Sequence, residues 1–128
     1  MAARARIRSF DAKALETIAG TKYFRLRAGT EHRFTAIWVV VVDGRVLVRP
    51  WNDKATGWYR SFLRDPVGAI QVGDEEVPVR ARPVRGEKVL DAMDDAYAAK
   101  YTTKANLPYA KGFATPKRRA TTLELLPA

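Results

Sequence analysis

The sequence predicts a mainly β fold of the α+β class, in which about six antiparallel strands and two to three helices form a small, closed or partly split barrel. Two hairpin signals support this prediction. Asp43-Gly44 lies between two apolar runs, and a second turn signal follows at Gly73-Asp74. One helical pattern between the hairpins and another after them favour a barrel over a sandwich.

The first hairpin is the best-defined element, because Asp and Gly both tolerate the positive φ of a type I′ turn. A two-residue loop sets the register and pairs Trp38 with Arg49 at the far end of the hairpin. One face is aliphatic and is expected to line the main core: Ile37, Val39, Val41, Val46 and Val48. The other face mixes apolar and charged residues: Trp38, Val40, Val42, Leu47, Arg45, Arg49 and Trp51. A helix, a partner subunit or a planar anionic ligand must cover this second face.

The remaining elements follow from hydrophobic periodicity and from turn residues. In chain order we expect a helix over 11–19, a strand over 23–28, a helix over 58–64, strands over 69–72 and 77–82, a helix over 87–101, an ordered loop over 102–117 and a strand over 121–126. Thr56 is expected to cap the helix over 58–64, and Pro66 to end it.

The composition excludes several kinds of catalytic and metal-binding site. The chain has 128 residues and no cysteine, which excludes disulfides, a thiol nucleophile and cysteine-bound metal. The lone His32 stands between charged residues in an expected turn, so a histidine triad or a metal site is disfavoured. We expect a basic N-terminal arm over 1–9 and a single barrel domain over 10–128. With no apolar targeting or spanning segment, a soluble cytoplasmic protein without membrane contact is expected.

The formal net charge of +9 is concentrated near the two ends of the chain, in Arg4, Arg6 and Arg8 and in Lys117, Arg118 and Arg119. Such clusters can bind a phosphate backbone, but neither contains the aromatic residues that stack on bases. Nucleic acid is therefore a disfavoured partner.

Lys54 marks a candidate anion site in the loop before the helix over 58–64. A cation next to the free backbone N–H groups at the start of a helix favours phosphate or carboxylate. Arg60, on the helix itself, is a second candidate. A metal site is a less simple explanation than an exposed helix face for the three acidic residues Asp91, Asp94 and Asp95.

Two stretches of the chain resemble a known superfamily. The run DGRVLVRP followed by KATGWYRSFLRDPVGAIQVGDEEVPVRARPV resembles the FMN-binding split β-barrel superfamily, and within it the deazaflavin-dependent nitroreductases. Lys54, Trp58, Tyr59 and Pro66 match the Lys, three residues, Trp-Tyr pattern and the proline that follows the helix. The segments AYAAKY at 96–101 and ATTLELLP at 120–127 look like an uncharacterised bacterial family of the same superfamily, domain-of-unknown-function family 2255. The resemblance covers most of residues 10–127.

The resemblance implies a homodimer that holds a flavin or deazaflavin, FMN or its deazaflavin counterpart, at the subunit interface. It assigns the cofactor phosphate to Lys54. From geometry we add further candidates for the phosphates and the ring. The expected cofactor-binding residues are Lys54, Arg49, Trp58, Tyr59, Arg60, Trp38, Asn52 and Thr56, with Trp51 as a further ring neighbour.

Three functions remain open at this point. The first is an oxidoreductase of flavin or deazaflavin type that acts on an unknown small molecule, with no side chain identified as catalytic. The second is a non-redox protein that binds another planar anionic ligand, haem included. The third is a nucleic-acid-binding module that uses the basic termini, whose affinity would fall steeply with salt.

Overall fold

A computed structural model describes residues 10–30 and 33–128 of the chain. The predicted basic arm over 1–9 and the turn at His32 lie outside the described residues. The helices are α1 (Ala12–Gly20), α2 (Trp58–Arg64), α3 (Glu87–Lys100), α4 (Leu107–Gly112) and α5 (Pro116–Arg119). The strands are β1 (Tyr23–Ala28), β2 (Thr35–Trp38), β3 (Val40–Val42), β4 (Arg45–Val48), β5 (Val67–Val72), β6 (Glu75–Pro83) and β7 (Leu123–Pro127).

The predicted antiparallel barrel is confirmed, with more elements than the sequence predicted. The seven strands form one sheet in the order β2-β1-β5-β6-β7-β4-β3. The first and last strands of this order, β2 and β3, are consecutive in the chain and are separated only by Val39. One bent segment therefore supplies both edges of the sheet and nearly closes the barrel.

The bend at Val39 corrects the predicted hairpin at its far end. Near the turn the register is as predicted, with Val42 opposite Arg45. Asp43 and Gly44 have φ values of 51° and 77°, as a type I′ turn requires. Beyond Val39 the strand leaves β4 and pairs with β1 instead, so Trp38 lies opposite Tyr23 rather than Arg49. A strand that changes partner at a bend lets a curved sheet close.

Two hydrophobic cores lie on the two faces of this sheet. The predicted aliphatic face lines the barrel interior, where Val39, Val46 and Val48 are fully buried. On the outer face Val40 and Leu47 pack beneath α3 and α4. Helices therefore cover most of the mixed face, which leaves only its Trp38 end next to open space.

The residues at the helix ends agree only in part with what local sequence signals indicate. The carboxylate of Asp11 accepts a hydrogen bond from the N–H of Ala14 at 2.8 Å and caps α1. The predicted cap of α2 by Thr56 is wrong. Gly57 is the N-cap there, and its N–H donates to the carbonyl of Lys54 at 2.9 Å. Because this tight turn includes Thr56, Gly57 rather than Thr56 is the last residue before the helix.

The expected loop over 102–117 contains two short helices, α4 and α5, which begin near Pro108 and Pro116. Proline is favoured in the first turn of a helix, because the N–H that it lacks has no partner there. The last strand begins at Leu123 rather than at 121, since Thr121 and Thr122 bond back to α5. Within the described residues, no helix is both long and apolar enough to cross a membrane.

Candidate functional site

A groove runs between β2 and the segment that leads from β4 to α2. It consists of two adjoining cavities of about 400 and 470 Å³, which share Ile37, Trp51 and Trp58 in their walls. Cavities of this size suit a small organic ligand. We call them the aromatic and the cationic compartment after the side chains that line them.

The aromatic compartment takes its walls from four separate parts of the chain. Its aromatic side chains are Tyr23, Trp38, Trp51, Trp58, Tyr109 and Phe113. Trp38 is held by a stacked contact with Tyr101, with ring centroids 3.8 Å apart and an interplanar angle of 5°. Tyr23 and Tyr109 are each 50% exposed, so much aromatic surface faces solvent at the mouth of the groove.

Trp51 divides the compartments and is fixed from two sides. The guanidinium of Arg118 lies 3.6 Å from the centroid of the indole, and its Nε donates to the Trp51 carbonyl at 2.9 Å. On the other side Tyr109 and Phe113 meet the indole edge-on, at 5.0 and 5.1 Å. A Cβ at Gly112 would lie 2.5 Å from the indole, so only glycine leaves room for this position of Trp51.

The cationic compartment carries two basic side chains, Arg33 and Lys54, together with Asn52 and Thr56. Within residues 10–30 and 33–128, neither Arg33 nor Lys54 forms an ion pair. Both charges are therefore available to an anion that enters the groove.

Arg49 lies in the wall of the aromatic compartment, but its guanidinium is committed to the protein. Its Nε donates to the hydroxyl of Thr122 at 2.8 Å, and one terminal nitrogen donates to Asp94 at 2.5 Å and to the Phe113 carbonyl at 2.9 Å. The other terminal nitrogen reaches the carbonyl of Leu90 at 3.3 Å. These bonds join α3, the end of α4 and the residue before β7 to the end of β4.

Arg60 and Tyr59 do not line the groove. Arg60 forms a two-bond ion pair with Asp53, at 2.8 and 2.6 Å, and the hydrogen bond to this carboxylate raises the pKa of Arg60. The Arg60 guanidinium lies over the ring of Tyr59, which packs against the barrel core. Of the residues predicted from the sequence, the structure brings seven together around the groove: Trp38, Arg49, Trp51, Asn52, Lys54, Thr56 and Trp58.

Sequence reasoning missed several groove residues because they come from distant segments. Tyr23 is on β1, Arg33 precedes β2, and Asn106, Tyr109 and Phe113 belong to α4 and its flanks. The one available signal was the pair of aromatic residues in the expected loop over 102–117, which had no obvious packing partner.

In the basic cluster near the end of the chain, two of the three residues stabilise the fold. Arg118 holds Trp51, as described above. Arg119 binds the carboxylates of Glu87, Asp91 and Asp94 on α3. Across the described part of the chain, no three His, Cys, Asp or Glu side chains are grouped as metal ligands.

Comparison with known families places the chain. A family described as "Uncharacterized protein conserved in bacteria (DUF2255)" matches residues 14–125. The chain belongs to this family. This match confirms that the segments at 96–101 and 120–127 resemble this bacterial family, and we refer to the chain as this DUF2255 protein. No curated protein matches the chain.

Two solved structures share the fold of this DUF2255 protein. A conserved hypothetical protein from Mycobacterium tuberculosis has a TM-score of 0.54 and 18% identity, over 95% of this chain and 81% of that one. A FAD-binding protein from Mesorhizobium loti has a TM-score of 0.54 and 12% identity, over 95% of this chain and 93% of that one. At these identities the likeness establishes the split-barrel fold.

Proposed function

We propose that this DUF2255 protein binds a flavin-type cofactor, FMN or a deazaflavin, in the groove and uses it as an oxidoreductase. The observation that carries the proposal is the contact between an aromatic compartment and a compartment with two cations, Arg33 and Lys54, that form no ion pair with any described residue. A flat ring and a phosphate on one molecule would fill the two compartments together. A solved structure of the same fold belongs to a FAD-binding protein, which supports this choice of ligand.

The residues present fit such a cofactor in distinct roles. Trp38 and Trp58 would flank the ring, and Lys54 and Arg33 would bind the phosphate. Arg49 would act on the ligand only through the wall that it supports, because its donors already bind protein groups. Asn52 and Thr56 offer further polar contacts at the cationic end.

The bound cofactor would supply hydride transfer, and the protein would orient it and exclude water. Among the described side chains of the groove there is no carboxylate and no histidine. General acid or base catalysis by such a side chain is therefore not part of the proposal.

A homodimer is the second part of the proposal. The mouth of the groove exposes Tyr23, Trp51 and Tyr109, each by 36% or more. Clustered apolar surface of this kind is typical of an interface, and a second subunit would cover the cofactor. Sedimentation velocity at several protein concentrations, with and without FMN, tests this part, and a monomer under all conditions contradicts it.

The decisive experiment is a fluorescence titration with FMN, FAD and a deazaflavin cofactor. For Lys54→Ala we expect at least a tenfold loss of affinity, since a charge-assisted hydrogen bond contributes about 1.5–3 kcal/mol. Lys88→Ala removes an exposed lysine on α3 and should bind as the wild type does. Arg33→Ala should weaken binding in the same direction as Lys54→Ala.

Two outcomes would contradict the proposal. One is the absence of saturable binding by any of the three cofactors. The other is equal binding by the wild type and Lys54→Ala. Haem, titrated in parallel, distinguishes the non-redox alternative, because tight binding of haem without flavin binding would favour it.

A further inference from the structure

Among the described residues that line the aromatic compartment, Asn106 is the one with a primary amide. The other strongly polar group in this wall is the guanidinium of Arg49, whose donors bind protein groups. In a mostly apolar pocket, a single convergent polar group determines how a ligand is oriented.

The backbone of Asn106 is firmly held. Its N–H donates to the carbonyl and the hydroxyl of Thr103, at 3.0 and 3.2 Å. Its carbonyl accepts from the N–H groups of Tyr109 and Ala110, both at 3.0 Å. The backbone that carries this side chain is therefore held at the edge of the compartment before any ligand binds.

The side-chain amide of Asn106, in contrast, is left free. Asparagine at the N-cap of a helix usually accepts a hydrogen bond from the first turn, but here the side chain makes no such bond. Within the described residues the amide has no other hydrogen-bond partner. With φ −86° and ψ −27° the backbone of Asn106 is helical rather than extended, so the side chain is directed to other partners than the first turn of α4.

An asparagine amide offers an acceptor and a donor side by side in one plane. Its complement on a flat ring is an N–H next to a carbonyl, as in a cyclic amide or imide. We infer that Asn106 selects the ring of the ligand by pairing with such an edge. The inference rests on the proposed function and deepens it, since flavins and deazaflavins carry a pyrimidinedione edge whereas porphyrins do not.

The test uses two flat tricyclic probes that lack a phosphate, so that Lys54 is not involved. Lumichrome has the pyrimidinedione edge, and phenazine lacks it. We expect Asn106→Leu to weaken lumichrome binding about tenfold, as the loss of two neutral hydrogen bonds predicts, and to leave phenazine binding unchanged or stronger. Gln71→Leu, which removes an amide side chain on β5 outside both compartments, is the matched control and should leave the preference between the probes unchanged.

The outcomes separate this inference from the proposed function. If Asn106→Leu leaves the preference unchanged while FMN still binds through Lys54, the selection by Asn106 is wrong and the cofactor site stands. If the preference shifts while Lys54→Ala binds FMN normally, the inference stands and the phosphate site is wrong. If the wild type binds neither lumichrome nor FMN, both are overturned. Thermal unfolding of each variant checks that the fold is retained.

Discussion

The side chains of Arg49 and Lys54 carry the same charge near the same groove and differ in what they bind. The Arg49 side chain is fully buried and donates to two carbonyls, a hydroxyl and the carboxylate of Asp94. Lys54 is partly exposed and forms no ion pair within the described residues. The first is thus a structural cation and the second is available to a ligand.

This contrast predicts opposite effects on stability. Arg49→Met should lower the free energy of unfolding by about 3 kcal/mol, because it leaves buried acceptors without donors. Lys54→Ala should change it by less than about 0.5 kcal/mol, as is usual for a surface position. Urea denaturation followed by tryptophan fluorescence measures both. Equal destabilisation by the two variants would contradict these roles.

From the sequence we expected both residues to bind the cofactor; the structure commits the donors of Arg49 to protein groups, and the role of Lys54 stays a prediction. Lys54 lies in a local pattern with Trp58 and Tyr59, which a sequence displays directly. The partners of Arg49 are remote: Leu90 is 41 residues away and Thr122 is 73. Whether a cation is committed to the protein depends on such distant groups, so local reasoning could not decide it.

At the scale of elements, the end of α3 fastens the bend between β2 and β3. The hydroxyl of Tyr101 accepts a hydrogen bond from the N–H of Val39 at 3.1 Å and donates to the carbonyl of Lys22 at 2.5 Å. The ammonium of Lys100 donates to the Val39 carbonyl at 2.7 Å. Val39 is not paired with any described strand. Tyr101 and Lys100 instead bind its N–H and its carbonyl.

Two tyrosines on one helix test this fastening. Tyr101→Phe should cost about 1–3 kcal/mol of unfolding free energy, because the N–H of Val39 loses its acceptor. Tyr97→Phe should be nearly neutral, since the buried Tyr97 hydroxyl has no hydrogen bond of normal geometry within the described part of the chain. Amide hydrogen exchange at Val39 is the direct readout. Unchanged exchange in Tyr101→Phe would show that the bend is held by other contacts.

The elements that the sequence predicted well are those with long, regular patterns. The period of apolar residues and the terminal residues located α1, α2 and α3 to within a residue or two. The helices α4 and α5, of six and four residues, are too short for such a pattern and depend on packing. Because α4 carries Asn106 and Tyr109, this omission also hid one wall of the groove.

At the scale of the whole molecule, three titrating groups near the bend make stability depend on pH. Burial lowers the pKa of Lys100 to about 8 and raises the pKa of Tyr101 to about 12, and it also raises the pKa of Tyr97. Between pH 8 and pH 10.5 the unfolded chain holds the Lys100 proton more firmly than the folded chain does. The contribution of Lys100 to stability therefore rises with pH in this range.

Above about pH 10 the two tyrosines act in the opposite direction, since they ionise more readily in the unfolded chain. We expect this part of the stability profile to rise from about pH 8 and to turn downward near pH 10. Urea midpoints of the wild type and of Lys100→Met, compared across this range, test the assignment. Lys100→Met should remove the rise, and a rise that persists in the variant would assign it to another group.

The overall topology was the least predictable property. The sequence indicated the hairpins, whose strands are neighbours in the chain. It gave no sign that β4 and β6 would each pair with β7, or that β2 and β3 would lie at opposite ends of the sheet. Such pairings are set by the closure of the whole barrel, so they appear only when all strands are considered together.

The central position of β7 has a consequence for synthesis on the ribosome. This strand comes after the other six in sequence, yet it lies between β6 and β4 and brings the buried carboxylate of Glu124 to Arg45 and Arg82. Until Leu123–Pro127 emerges, β4 and β6 each present an open edge that can pair with another chain. The barrel is therefore expected to assemble only after translation has passed this strand, and the nascent chain is at its most vulnerable to aggregation immediately before that point.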